Sequence, residues 1–103
     1  NVNGKDNAGQ TALFRASNKG RVEIVRILIA AKANVNAKDS DGMTALMGAA
    51  MAGHPKVVEL LIAAKASINT KSKNGKTALQ FVPGFNHYNY LEVKDLLRKA
   101  GAD

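Results

Sequence analysis

The sequence predicts an all-α repeat solenoid, a row of short helices that fold by stacking on one another, and three observations predict it. Thr11-Ala12-Leu13 recurs as Thr44-Ala45-Leu46 and again as Thr77-Ala78-Leu79, both times after 33 residues. Aligning residues 1–33 with 34–66 gives 18 identities in 33 positions. A fixed period of this size marks an array of identical supersecondary units. Between the repeated landmarks lie apolar stretches of about ten residues, whereas an isolated helix shorter than roughly 12–15 residues is marginal in water. Each unit therefore depends on burying its apolar faces against a neighbour.

The elements follow in a fixed order. A turn opens each unit: Lys5-Asp6-Asn7-Ala8-Gly9, then Lys38-Asp39-Ser40-Asp41-Gly42, then Lys71-Ser72-Lys73-Asn74-Gly75. Asp and Asn offer side-chain hydrogen bonds to turn amides, and Gly admits positive φ. A short first helix runs on from each Thr-Ala-Leu, with small residues (Ala12, Ala16, Ala45, Gly48, Ala49, Ala50) that let backbones approach closely. Gly20 and Gly53 break the chain, and a second helix follows. It carries Val22, Ile24, Val25, Ile27, Leu28 and Ile29 in the first unit and Val57, Val58, Leu60, Leu61 and Ile62 in the second. Pro55 falls in the first turn of that helix, where proline is tolerated.

The third unit departs from the pattern. It holds three more residues between Leu79 and Val93 than the second holds between Leu46 and Val57. Pro83-Gly84 should end its first helix early. Asn89 with Glu92 reads as a capping box opening the last helix. Lys94 and Arg98 stand where Val58 and Ile62 stood, so the last helix should terminate the stack as a C-terminal cap. The first unit has no such polarity on its second helix, which reads as an array that once continued upstream or as a face covered by another molecule.

The 33-residue period, the Asp-x-x-Gly-x-Thr-Ala-Leu signature, the glycine breaks, the Leu-Ile-Ala-Ala run and the closing Val-Asn together resemble ankyrin repeats over nearly the whole chain. The resemblance implies antiparallel helix pairs standing side by side in one domain (repeats about 5–37, 38–70 and 71–103), with β-turn fingers projecting from them. It also implies a concave face of finger tips and first helices as the usual protein-binding surface. Ala12, Ala45 and Ala78 replace the Pro common in that family, and Phe14, Met47 and Gln80 replace its His. Phe14 and Met47 should then meet across the first junction in a sulfur–aromatic contact. Lys32 and Lys65 take the place of a Gly after the second helix, which only Gly101 keeps, so both lysines should carry left-handed backbone.

Composition bounds function mostly by exclusion. The chain has no Cys, which removes disulfides, thiolate nucleophiles and cysteine-rich zinc sites and fits a reducing, intracellular (cytoplasmic) setting. No window is apolar and long enough to span a bilayer. No phosphate-binding loop, Gly-x-Ser-x-Gly or His-Glu-x-x-His occurs. His54 follows Gly53 at a position where the family commonly has His, a structural place, and His87 has no partner ligands nearby in sequence. No catalytic residue, metal site or cofactor is expected, and the chain reads as a non-enzyme.

The residues expected on the binding face are Asn7, Ala8 and Gln10 of the first finger, Ser40, Asp41 and Met43 of the second, and Lys73, Asn74 and Lys76 of the third. Asn18, Lys19, Met51 and Ala52 of the first helices join them. Met43, Met47 and Met51 fall at i, i+4, i+8; Met47 should pack inward while its neighbours flank it on the concave side, either as packing or as an adaptable apolar contact. Lys71, Lys73 and Lys76 make the third finger basic, either as a solvated tip or as an anion contact. Phe85, Tyr88 and Tyr90 either roof the last repeat or anchor a partner. The reading that results is a protein-interaction scaffold with another protein as partner, rather than nucleic acid or a membrane. It should be monomeric, with the uncapped N-terminal repeat as the surface open to self-association. Against it stand an anion-binding module working through its basic fingers, suggested by the net charge of +7, and a trimmed or engineered scaffold with no native partner.

Overall fold

A threonine hydroxyl opens the first helix of every unit. In this computed structural model, which describes residues 1–102, Thr11, Thr44 and Thr77 sit in extended backbone, and each Oγ1 accepts the amide N–H three residues on, at 3.2, 3.4 and 3.4 Å. Such a cap contributes about 1 kcal/mol by satisfying an amide that the helix leaves free. The first helices are α1 (Ala12–Asn18), α3 (Ala45–Ala52) and α5 (Ala78–Phe81), and the second helices are α2 (Val22–Ala30), α4 (Pro55–Ala63) and α6 (Tyr88–Lys99). No strand occurs among the described residues.

The residues standing where the family's His would be share the capping work. Gln80 Oε1 accepts the Thr77 N–H at 2.9 Å, and the Met47 sulfur accepts the Thr44 N–H at 3.4 Å. The Met47 thioether turns back on its own helix start, and the Phe14 ring lies against Gly48 of the next unit. A Cβ placed on Gly48 would come within 3.1 Å of that ring, so a large side chain in one repeat meets a missing one in the next.

α1 packs on α3 and α3 on α5, while α2, α4 and α6 form a second row behind them. The core runs between the rows through Leu13, Val25, Leu46, Met47, Val57, Val58, Leu61, Val93 and Leu97, all fully buried. Each Val or Leu so buried is worth about 1.5–3 kcal/mol against exposure. Gly20 and Gly53 turn the chain between the paired helices at φ +73°. The residue at the start of the next unit's second helix closes over each of them. The His54 ring covers Gly20 and the Tyr90 ring covers Gly53, both so closely that a Cβ on the glycine would stand 2.6 Å from a ring atom.

Lys32 and Lys65 adopt φ +70°, as their positions led us to expect. Each closes a Schellman turn: Lys32 and Ala33 donate to the Ile29 and Leu28 carbonyls, and Lys65 and Ala66 to those of Ile62 and Leu61, all at 3.0 Å. Gly101 and Ala102 repeat the arrangement on Arg98 and Leu97.

The third unit corrects two expectations. α5 does stop at Phe81 before Pro83, but the last helix is not opened by Asn89 with Glu92. It starts at Tyr88, and His87 is its cap, with Nδ1 accepting the Asn89 N–H at 3.2 Å. The ring nitrogen takes the part that a carboxamide oxygen would have played two residues later. Nor do the three aromatics of the inserted segment roof the repeat together: Tyr90 packs inward onto Gly53, while Phe85 and Tyr88 remain about three-quarters exposed at 72% and 73%. At the opposite end Ile24 and Ile27 of α2 lie open at 45% and 65%, as the missing polarity of the first unit implied.

Candidate protein-binding surface

The first two fingers are each built on a carboxylate and the third on a hydroxyl, and the three are then tied to one another. Asp6 Oδ1 accepts the amides of Ala8 and Gln10, and Asp39 Oδ1 those of Asp41 and Met43, all at 2.9 Å. In the third finger Ser72 replaces the aspartate; its hydroxyl donates to Asn74 Oδ1 and accepts the Lys76 N–H at 3.4 Å. The amide donors facing Asp6, the Gln10 N–H above all, hold its carboxyl below the ordinary value of 3.8, and the Arg15 guanidinium 2.8 Å away acts in the same direction. Neighbouring fingers are joined by backbone: Ser40 N–H donates to the Ala8 carbonyl at 3.0 Å and Lys73 N–H to that of Asp41 at 2.9 Å. The finger row is therefore a continuous, hydrogen-bonded edge.

This edge and the first helices enclose a groove of about 350 Å³ between the second and third fingers, lined by Asp41, Met43, Met51, Ser72, Lys73, Asn74 and Phe81. Of the side chains expected on the binding face, Asp41, Met43, Met51, Lys73 and Asn74 come together here. Met43 is half-buried and Met51 37% exposed, so both thioethers present part of their surface to the groove. Lys76 stands beside it, with Nζ 5.8 Å from the centre of the Phe81 ring.

Other expected residues are placed differently. Ser40 Oγ is engaged with the Ala8 carbonyl at 2.8 Å, and Asn18 Nδ2 donates to the Gly48 carbonyl at 3.1 Å, so both hold repeats together. Lys19 lies at the open N-terminal end beside Ala12, Arg15, Arg21 and Ile24. Asn7 and Ala8 are exposed and Gln10 and Ala52 half-buried, and none of the four lines the groove. Ser72, which stands in the place of the turn aspartates, and Phe81 are the lining residues that sequence reasoning missed, and Phe81 is the larger omission. Its counterparts in the other units are Arg15 and Gly48, so the repeat pattern gave it no standing; the signal was the change from glycine to a ring at one register position.

His54 is structural. Its Nε2 lies 3.0 Å from the Asn18 carbonyl, and because a carbonyl can only accept, the ring carries a proton on that nitrogen. Among the described residues no cluster of His, Asp or Glu could hold a metal ion, and no helix is long and apolar enough to cross a membrane.

No curated protein matches this sequence. The family model for ankyrin repeats (3 copies) matches residues 1–72 and 31–103, which together span the chain. Repeats of this kind are generally protein–protein interaction modules and typically non-enzymatic scaffolds. The period in the sequence, the paired helices and the projecting fingers agree with that match, and the chain belongs to the ankyrin-repeat family.

Proposed function

We propose that this chain is a protein-interaction scaffold whose partner docks on the concave surface of fingers and first helices, centred on the groove between the second and third fingers. The observation that carries this reading is the make-up of that groove. The positions of Asp41, Met43 and Met51 are Ala8, Gln10 and Asn18 in the first unit, while the turn aspartates, the Thr caps and the glycine breaks recur around them. A fixed frame with freely changing side chains on one face suits specific recognition. The mixture of thioether surface, one ring and both signs of charge suits a protein surface better than a small metabolite. Three fingers offer a small footprint, so modest affinity is expected.

The test is capture from cell lysate with the wild-type chain beside a Met43→Ser, Met51→Ser, Lys76→Ser variant whose circular dichroism matches wild type. A protein held by wild type at physiological salt and released by the variant supports the reading. Equal capture by both would move the site off the groove. Retention that collapses steeply with salt and does not depend on Met43 or Met51 would favour an anion-binding module working through Lys71, Lys73 and Lys76.

A further inference from the structure

The two walls of the groove differ in charge, and its floor is apolar. Met43, Met51 and Phe81 form the floor. Lys73 stands on the third finger with Lys76 beside it, both exposed, and the exposed Asp41 faces them from the second finger. None of the three takes part in the ion pairs found among the described residues, which join Arg15 to Asp6, Arg26 to Glu23 and Lys99 to Asp95. Lys76 lies over the Phe81 ring and is held at the rim, so an incoming carboxylate would meet an ammonium already positioned.

Resting on the scaffold reading above, we propose that the groove takes an acidic–apolar peptide segment of the partner. A long apolar side chain would seat among Met43, Met51 and Phe81, and carboxylates flanking it would pair with Lys73 and Lys76. Thioethers are flexible and polarisable, so the floor adapts to Leu, Met or Phe. Two lysines against one aspartate set the preference for an acidic segment, and the net charge of +7 adds a long-range attraction of the same sign. Asp41 on the far wall gives the segment a direction, since a carboxylate placed there would be repelled. A nucleic acid is disfavoured by the same geometry: it would leave the apolar floor unfilled, and the groove holds one half-buried ring where single strands need a run of exposed ones.

The experiment is fluorescence anisotropy on the full chain at physiological salt with three labelled eight-residue peptides. One alternates Glu with Leu and Phe, one replaces each Glu by Lys, and one keeps Glu but replaces the apolar residues by Ser. The first should bind about tenfold more tightly than either of the others. Met43→Ser with Met51→Ser should erase that advantage, and Lys73→Glu with Lys76→Glu should shift the preference to the Lys peptide, each with unchanged circular dichroism. Equal or tighter binding of the Lys peptide, equal binding of the Ser peptide, absence of binding by all three, or displacement by an oligothymidylate of the same charge would each overturn the proposal. If the peptides fail while lysate capture still depends on Met43, Met51 and Lys76, the scaffold reading stands and only the chemical class of the partner is wrong.

Discussion

Replacing Lys32 and Lys65 by glycine should stabilise the fold, and the size of the effect follows from backbone alone. Both residues hold φ +70°, with exposed side chains and both Schellman hydrogen bonds already made. Left-handed backbone costs a residue with a Cβ about 1–2 kcal/mol. Glycine removes that cost but returns about 0.4–1 kcal/mol to the unfolded chain as entropy. The net gain is about 0.5–1 kcal/mol per site, and the two sites, a full repeat apart and sharing no partner, should add to about 1–2 kcal/mol. For a domain near this size, 1 kcal/mol corresponds to about 4–8 °C, so the double variant should melt about 5–15 °C higher. The net charge of +7 also falls by two, which relieves self-repulsion. Lys32→Ala with Lys65→Ala is the control, because it removes the same charges and keeps the strained backbone. The assay is thermal and urea unfolding followed by far-UV circular dichroism. If the glycine variant is no more stable than the alanine variant, the argument from left-handed backbone is wrong.

Two further expectations rest on single side chains. Ser17 is fully buried and its hydroxyl has no hydrogen-bond partner, whereas the second unit has Ala50 at that place. Ser17→Ala should raise stability by about 1 kcal/mol in urea titrations, and a loss would show that the hydroxyl is satisfied. Asp6, whose carboxyl is held low chiefly by the Gln10 N–H, stabilises the first finger when ionised. Its folded value lies below its unfolded one, so this support is complete above the unfolded value and is lost as pH falls through the lowered one. The amide shifts of Ala8 and Gln10 should therefore titrate together below the ordinary carboxylate range, and a midpoint at or above it would refute the assignment.

The architecture was legible because its causes are local and repeated. A threonine cap, a turn aspartate and a helix-ending residue each act within four positions, and their recurrence at one spacing left a single way to bury the apolar faces. The left-handed lysines were legible for the same reason. What escaped depended on contacts between units. Asn18 looked like a free surface amide until the Gly48 carbonyl of the next repeat stood within its reach. Asn89 and Glu92 fitted a capping pattern, yet the chain leaving Pro83 reached helical geometry earlier and His87 took the place. The groove was half visible: Asp41, Met43, Lys73 and Asn74 came from the finger register and Met51 from the first helix, while Ser72 and Phe81 entered only when the third finger and the shortened α5 were seen beside them.

The rings over Gly20 and Gly53 give the array a grammar of succession. The first unit carries a socket and no key, since Arg21 occupies the position of His54. The middle unit carries both, and the last carries the Tyr90 key with Asn89 in place of a socket. Order along the stack is thus written into one pair of positions per unit. A second copy of residues 38–70 inserted in tandem would find matching junctions on both sides and lengthen the array. The same units in reverse order would set Asn89 against a ring and leave Gly20 unfilled.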